Sequence, residues 1–175
     1  YLKYLEVFDI KNTMMSLTLA EGHFNVWNFS ETDLSFSRQP GVGERLTLTG
    51  LLQPGEDNTV PFYGSFEHRA GDSTAYVSTR FEALNSRLFT TFLPEEHRSI
   101  VDSDIKTLEV RATLDHNNNF KEAEIAASMV NGALRLPELY AEVKNFRSAV
   151  LEMVVVPAKE FISLKIKNLV VDAAD

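Results

Sequence analysis

The chain of 175 residues contains no cysteine. Disulfides and thiolate metal sites are therefore excluded. The absence of cysteine is compatible with an oxidising and with a reducing compartment. The chain also lacks any cluster of lysine and arginine, and its formal net charge is −8, from 17 basic and 25 acidic residues. Nucleic acids and anionic membrane surfaces attract clustered cations, so neither is expected as a partner.

Long hydrophobic runs are also missing. A membrane-spanning helix needs about 20 consecutive apolar residues, and the longest apolar stretch here is interrupted by Glu152 and Pro157. The chain opens with the strand-like YLKYLEVFDI rather than with a signal peptide or an initiating Met. We therefore expect residues 1–175 to form a single β-rich domain, cut from a longer repetitive protein whose anchor and targeting segments lie outside it.

What the chain does contain is alternation of apolar and polar residues with a period of two, which is typical of strands buried on one face. In DIKTLEVRATLD, Leu108, Val110 and Leu114 fall on one side, while Glu109 and Arg111 fall on the other. The segments ERLTLTGLL and FISLKIKN alternate in the same way. One apolar face and one wet face are the pattern of antiparallel sheets.

Residues that favour turns separate these runs, because Asn, Asp and Gly tolerate positive φ and Pro presets φ. The spacing predicts about ten to twelve strands, several of them in consecutive hairpins. We predict a mostly β fold: a twisted antiparallel sheet curled into a half-barrel or trough. A closed β-sandwich is the alternative, since both need the same alternation. The predicted turns are Ala20-Glu21-Gly22, Gln39-Pro40-Gly41, residues 53–58, Ala70-Gly71-Asp72, residues 116–119 and Asn131-Gly132.

One segment has a different period. In NSRLFTTFLPEE, Leu88, Phe89, Phe92 and Leu93 share one helical face, and Pro94 ends the pattern. This spacing predicts one short amphipathic helix near residues 86–93, packed on or across the sheet.

A short motif occurs three times, as Ile10-Lys11-Asn12, Val143-Lys144-Asn145 and Ile166-Lys167-Asn168. In each copy an apolar residue ends one inward-facing series, Lys faces water, and Asn permits a bend or bulge. The first and third copies lie 156 positions apart, almost the whole chain. This recurrence predicts that residues about 163–175 begin the next repeat of an array.

Residues that could carry catalysis or bind a metal form no recognisable motif. The four histidines are dispersed and lack ligand spacing. The segment DHNNNF starts like a calcium loop, but Phe120 stands where that loop needs Gly and Ala126 where it needs Glu. Glu95, Glu96 and His97 form the densest titratable group, which we interpret as a solvated loop. We predict no catalytic residue, no metal site and no cofactor, and expect that the protein is not an enzyme.

The order of these features resembles the AsmA-like superfamily of bacterial envelope proteins, in particular its YhdP-type repeat domain. The resemblance rests on LEVFDIKNTMMSLTL, on NVWNFSETDLSFSRQPGVGERLTLTGLLQ and on LEVRATLDHNNNFKEAEIAASMVNGALRLPEL, and it spans nearly the whole chain. It implies a segment of a periplasmic protein anchored in the inner membrane. There it would offer a hydrophobic groove for phospholipid transport between the inner and outer membranes, in outer-membrane biogenesis. The resemblance implies no catalytic residues in this chain.

Under this hypothesis, acyl chains of phospholipid or another lipid would lie against inward-facing residues. Neighbouring repeats of the same chain, and other envelope proteins, are the further expected partners. The alternative function is a structural or protein-interaction β-module that binds no lipid, in which the same residues form a closed core. The residues predicted to line the groove are Leu46, Leu48, Leu108, Val110, Leu114, Ile125, Leu164 and Ile166.

Overall fold

The computed structural model describes residues 6–18, 26–53, 59–86, 101–117, 119–134, 142–157 and 162–174. All regular structure in these ranges is β-strand, and none of their residues forms a helix. The helix predicted near residues 86–93 lies outside the described residues, apart from Ser86. The strands are β1 (Val7–Thr18), β2 (Val26–Gln39), β3 (Gly43–Gln53), β4 (Val60–Arg69), β5 (Thr74–Asn85), β6 (Val101–Asp115), β7 (Phe120–Leu134), β8 (Lys144–Pro157) and β9 (Ile162–Ala173).

The strands form a single antiparallel sheet in the order β1-β2-β3-β4-β5-β6-β7-β8-β9, which is not closed into a barrel. Each strand therefore pairs with its neighbours in sequence. The mostly β, antiparallel prediction is confirmed, although the described residues form nine strands rather than ten to twelve. They belong to one sheet, whereas a β-sandwich has two.

Tight turns join several of these strands, as the turn residues predict. Between β2 and β3, the amide of Val42 donates to the carbonyl of Gln39 at 3.0 Å, and Gly41 has a φ of 76°. Between β6 and β7, the Asp115 carboxylate accepts the backbone N–H groups of Asn117 and Asn119, at 2.8 and 2.9 Å. The segment DHNNNF is therefore a hairpin turn closed by an aspartate.

The predicted turn at Asn131-Gly132 is wrong. Both residues lie inside β7, and Asn131 has a φ of 50°. An Asn that accepts positive φ serves a strand irregularity as well as a hairpin turn, because both need a left-handed residue. The predicted turn at residues 20–22, and that at residues 53–58 apart from Gln53, lie outside the described residues.

The repeated motif coincides with irregular pairing. In β1, Ile10 pairs with Leu34 and Thr13 with Thr32, so β1 carries one extra residue, and Asn12 has a φ of 49°. The third copy does the same in β9, where Ile166 pairs with Met153 and Asn168 with Glu152. Both pairings confirm the expectation of a bulge at these copies. The prediction that a new repeat begins near residue 163 stays a prediction.

The chain divides into two compact units: unit 1 comprises Tyr1–Phe81 with Val110–Ala123, and unit 2 comprises Glu82–Glu109 with Glu124–Asp175. Each unit has buried apolar side chains of its own. Those of unit 1 include Phe29, Leu52, Val60, Phe62 and Ala75, and those of unit 2 include Leu84, Ile105, Met129, Phe146 and Ala149.

Candidate functional site

One face of the sheet in unit 1 is apolar across five strands. Antiparallel partners that lie directly opposite each other share a face, so the registers identify rows of side chains. One row runs from Phe8 on β1 through Phe36, Leu46 and Phe66 to Val77 on β5. We call the side of the sheet that carries this row the apolar face of unit 1.

A second row on the same face runs parallel to the first. It contains Ile10, Leu34, Leu48, Gly64 and Thr79, again on β1 to β5. The alternation of apolar residues along each strand therefore produces a surface two rows deep that is apolar but for one glycine and one threonine.

Aromatic side chains dominate this face. The rings of Phe8 and Phe36 stack with centroids 5.6 Å apart, and Phe62 contacts both Phe29, at 4.8 Å, and Phe81, at 6.2 Å. Aromatic rings expose a large apolar area and lose little rotamer freedom when they are ordered. They provide a preorganised apolar surface.

Burial on this face differs between its two ends on β2 to β4. Phe29, Leu52 and Val60 are buried at one end, whereas Leu46 and Phe66 are only half-buried. The half-buried rows keep part of their apolar surface accessible in the described residues.

A charged row borders the face beside the β2–β3 turn. Arg38 pairs with Glu44, and Glu44 with His68, in register with the apolar rows. The guanidinium of Arg38 contacts the Glu44 carboxylate at 2.6 Å and lies 5.8 Å from the ring centroid of Phe36. We call Arg38, Glu44 and His68 the polar rim.

The opposite face of the same strands is hydrophilic. Ser35, Thr47, Ser65 and Ser78 form a row of hydroxyl groups in register, and the Oγ atoms of Ser65 and Ser78 lie 2.9 Å apart. Unit 1 thus has one apolar and one wet face, as period-two alternation predicts.

The structure places two of the predicted lining residues, Leu46 and Leu48, on the apolar face. Val110 and Leu114 are half-buried residues of β6 in unit 1. Leu108 and Ile125 are half-buried in unit 2 and are not part of that face.

The last two predicted lining residues lie on β9 in unit 2. Leu164 is 65% exposed opposite Val155, and Ile166 is 58% exposed opposite Met153. They belong to an accessible apolar strip on β8 and β9 rather than to the apolar face of unit 1.

Sequence reasoning missed the phenylalanines that dominate the apolar face. Phe36, Phe62 and Phe66 were not among the predicted lining residues, although they carry a usable signal. In DLSFSRQ and FYGSFEH an apolar residue occurs at every second or every fourth position. Reading those segments together with ERLTLTGLL would have identified the three-strand centre of the face.

Unit 2 contains an open cleft of about 440 Å³. Its lining includes Ser103, whose Oγ is buried and has no hydrogen-bond partner among the described residues. Among the described residues that line the cleft there is no histidine or lysine, the side chains that usually activate a serine nucleophile. The polar lining residues are Asn85, Asp102, Asp104, Asn131, Asn145 and Arg147.

Within the strands and turns described, no group of three or more His, Asp or Glu side chains is arranged to hold a metal ion. No helix in the same residues has the length and apolarity needed to cross a membrane.

Comparison with known proteins adds no relative. No protein-family model, curated protein or solved structure matches this chain.

Proposed function

We propose that this chain is a non-enzymatic, lipid-handling segment whose apolar face in unit 1 binds the acyl chains of phospholipid. The observation that carries the proposal is the in-register apolar surface across β1 to β5, which is half-buried near the polar rim. A soluble domain gains nothing from leaving such a surface in water, whereas a lipid carrier needs it.

The driving force would be the removal of apolar surface from water. Each methylene group that leaves water contributes about 0.8 kcal/mol, so several methylenes along Phe36, Leu46 and Phe66 supply useful affinity. The surface has no directional polar contacts, so a chain would slide along it without a chemical step.

The polar rim would hold the headgroup end of the lipid. Arg38 offers N–H donors for a phosphate and already lies against the apolar ring of Phe36, whereas Nε2 of His68 lies 3.1 Å from the backbone carbonyl of Asp72. A guanidinium is suited to bidentate contact with phosphate oxygens. Glu44, which pairs with Arg38, would then compete with the phosphate.

Curvature of the sheet into a half-barrel or trough belongs to the same proposal. A bulge bends its strand and increases the local twist. Bulges occur in β1 after Ile10 and in β2 between Ser30 and Asp33, so the strands that carry the apolar face have the irregularities that curl a sheet.

The cellular setting follows from the sequence resemblance and is part of the proposal. The parent protein would be a periplasmic, AsmA-like envelope protein anchored in the inner membrane. It would carry phospholipid between the inner and outer membranes, with neighbouring repeats and other envelope proteins as partners.

A pair of substitutions on β3 tests the function. Leu46→Asp places a charge on the apolar face, whereas Thr47→Asp places the same charge one residue along, on the hydroxyl face. Titration with a phospholipid that has a fluorescent tail should give at least about tenfold weaker binding for Leu46→Asp only. Equal binding by both variants and the unchanged chain would contradict the proposal, provided that circular dichroism shows both variants folded.

A protein-interaction module is the second candidate function, and the edge strands favour it. Met14 on β1 is 77% exposed and Leu164 on β9 is 65% exposed. Edge strands with exposed apolar side chains are templates for pairing with another strand. This function does not require the apolar face of unit 1, so the Leu46→Asp variant would leave it intact.

A further inference from the structure

The second strand of each of two strand groups contains the same kind of segment. In β2 it is Glu31-Thr32-Asp33-Leu34, and in β6 it is Asp102-Ser103-Asp104-Ile105. The hydroxyl residue is buried in both, with Thr32 0% and Ser103 3% exposed, and the acidic residues on either side of it are exposed. We call this pattern the acidic strand motif.

The strand after the motif presents a glycine to the buried hydroxyl residue. A Cβ atom added to Gly50 would lie 2.9 Å from Thr32 Oγ1, and one added to Gly132 would lie 2.6 Å from Ser103 Cβ. The following strand then places an aromatic ring over the glycine: Phe62 in β4 over Gly50, and Phe146 in β8 over Gly132. The segments in β2 and β6 therefore match in their packing as well as in their residue types.

The strand before the motif also matches. Asn12 on β1 has a φ of 49° and donates its backbone N–H to Asp33 Oδ1 at 2.9 Å. Ala83 on β5 has a φ of 55°, and Asn85 two residues later donates its side-chain N–H to Asp104 Oδ1 at 3.3 Å. In both cases the second aspartate of the motif accepts an N–H group, from the backbone of the left-handed residue itself in β1 and from a side chain two residues after the left-handed residue in β5.

These correspondences make β1–β4 and β5–β8 two copies of one four-stranded pattern. The strand that follows them, β9, repeats a segment of the first strand, since Ile166-Lys167-Asn168-Leu169 matches Ile10-Lys11-Asn12-Thr13. Each strand has one extra residue in this segment, β1 in its pairing with β2 and β9 in its pairing with β8, and Asn168 does not have the positive φ of Asn12. The remaining copy of the short motif, at residues 143–145, begins β8 and does not occupy this position.

The outer edge of β9 has no partner strand in the described part of the chain, because β9 pairs only with β8 there. Lys165 and Lys167 on this strand are exposed, and Lys167 also makes an ion pair of 2.6 Å with Glu124 on β7. Opposite β1, the strand with the matching residues is β2, which carries the carboxylates of Glu31 and Asp33. An acidic strand beside β9 would therefore be complementary to it in charge.

We propose that the outer edge of β9 is a docking site for a third acidic strand motif. The partner is an extended, antiparallel segment with the sequence Glu/Asp-Thr/Ser-Asp-Leu/Ile, whose second acidic residue lies beside Asn168 as Asp33 lies beside Asn12. This site does not rest on the proposed lipid function. A second copy of the chain does not supply the partner, because its β2 and β6 already lie between two strands.

The test adds an acidic strand to the chain in two ways. A synthetic peptide of residues 26–39 is added to the unchanged chain, and separately residues 20–39 are appended after Asp175. The appended strand then follows β9 at the distance at which β2 follows β1, since the two motifs are 156 positions apart. Tethering raises the effective concentration to the millimolar range, so weak pairing becomes measurable.

Amide hydrogen exchange along β9 is the readout. We expect the appended strand to slow exchange in β9 at least about tenfold, which corresponds to about 90% occupancy of the site. The change Asp33→Ala in the appended copy should remove most of this protection, and Ser35→Ala, two residues along on the same side, should keep it.

Two results would overturn the inference. In the first, exchange in β9 is unchanged by both the peptide and the appended strand. In the second, the Asp33→Ala and Ser35→Ala copies protect β9 equally, which would mean that the edge accepts any strand and does not recognise the motif.

Discussion

The backbone N–H of Asn12 donates a hydrogen bond of 2.9 Å to Oδ1 of Asp33 on the neighbouring strand. Asn12 is also left-handed, with a φ of 49°, at the point where β1 carries one residue more than β2. The extra residue turns its amide away from the regular ladder, and the aspartate satisfies it. One side chain thus compensates for the interruption that a bulge makes in the hydrogen bonds of a sheet.

Asn12→Val should therefore destabilise the protein by about 1–2 kcal/mol, because a β-branched residue is strained at positive φ. Asn12→Gly, which accepts this conformation, should change the free energy of unfolding by no more than about 0.5 kcal/mol. Urea unfolding of both variants measures the difference. Equal destabilisation by Val and Gly would mean that the Asn12 side chain, and not its backbone conformation, matters.

Close packing against Gly132 leads to a second prediction. A Cβ atom at this position would overlap the ring of Phe146 and lie 2.6 Å from Ser103 Cβ, and both neighbours are buried. Gly132→Ala should cost about 1–3 kcal/mol of stability through overpacking. Gly64→Ala is the matched control, since its added Cβ would meet nothing closer than 3.8 Å. A Gly132→Ala variant as stable as the control would show that unit 2 repacks freely there.

The hairpin turn after β6 gives a prediction about pH. The side chain of Asn119, followed by its backbone N–H, donates to the Asp115 carboxylate and lowers the pKa of Asp115 below its ordinary value of 3.8. Because the pKa is depressed in the folded state, this contribution to stability is present above about pH 3.8 and is lost as the pH falls through the folded-state pKa.

Titration of the Asp115 carboxyl carbon by NMR tests this prediction. Asn119→Ala removes the side-chain donor, so the pKa of Asp115 should rise toward 3.8. A pKa that is already ordinary in the unchanged chain, or that does not respond to the substitution, would contradict the hydrogen-bonded turn.

The polar rim provides a prediction about lipid selectivity. Arg38→Gln keeps a long polar side chain and removes the charge that faces a phosphate. Binding of a phospholipid should weaken several-fold, because a charge-assisted contact is lost, while binding of a long-chain alcohol should stay the same. Equal effects on the two ligands would place the headgroup elsewhere than beside Arg38.

Much of this fold is predictable from the sequence, because a strand of an antiparallel sheet with one buried face has apolar residues at alternate positions. Leu46 and Leu48 were identified in this way, and both lie on the apolar face. Leu164 and Ile166 alternate equally well, yet they are mostly exposed, because β9 has a partner strand on one side only in the described residues. Alternation reports the face of a residue but not what covers that face.

Other features could not be predicted, because the corresponding segments share the chemical type of their residues and not the identical residues. The acidic strand motif is preserved as hydroxyl and carboxylate types, with Thr32 replaced by Ser103 and Glu31 by Asp102. Residues 143–145 have a matching tripeptide, but they lie at the start of β8 and not at the position that Ile10-Lys11-Asn12 occupies in β1. The turn predicted at Asn131-Gly132 was wrong for a related reason, since a strand bulge and a hairpin turn need the same backbone conformation.

Native mass spectrometry of the purified chain, with extraction and identification of bound molecules, tests the central claim most directly. We expect near-stoichiometric phospholipid on the unchanged chain and on Thr47→Asp, and its loss from Leu46→Asp while the fold is kept. A well-folded chain that carries no lipid, and takes up none from added phospholipid, would contradict the account and favour the protein-interaction module.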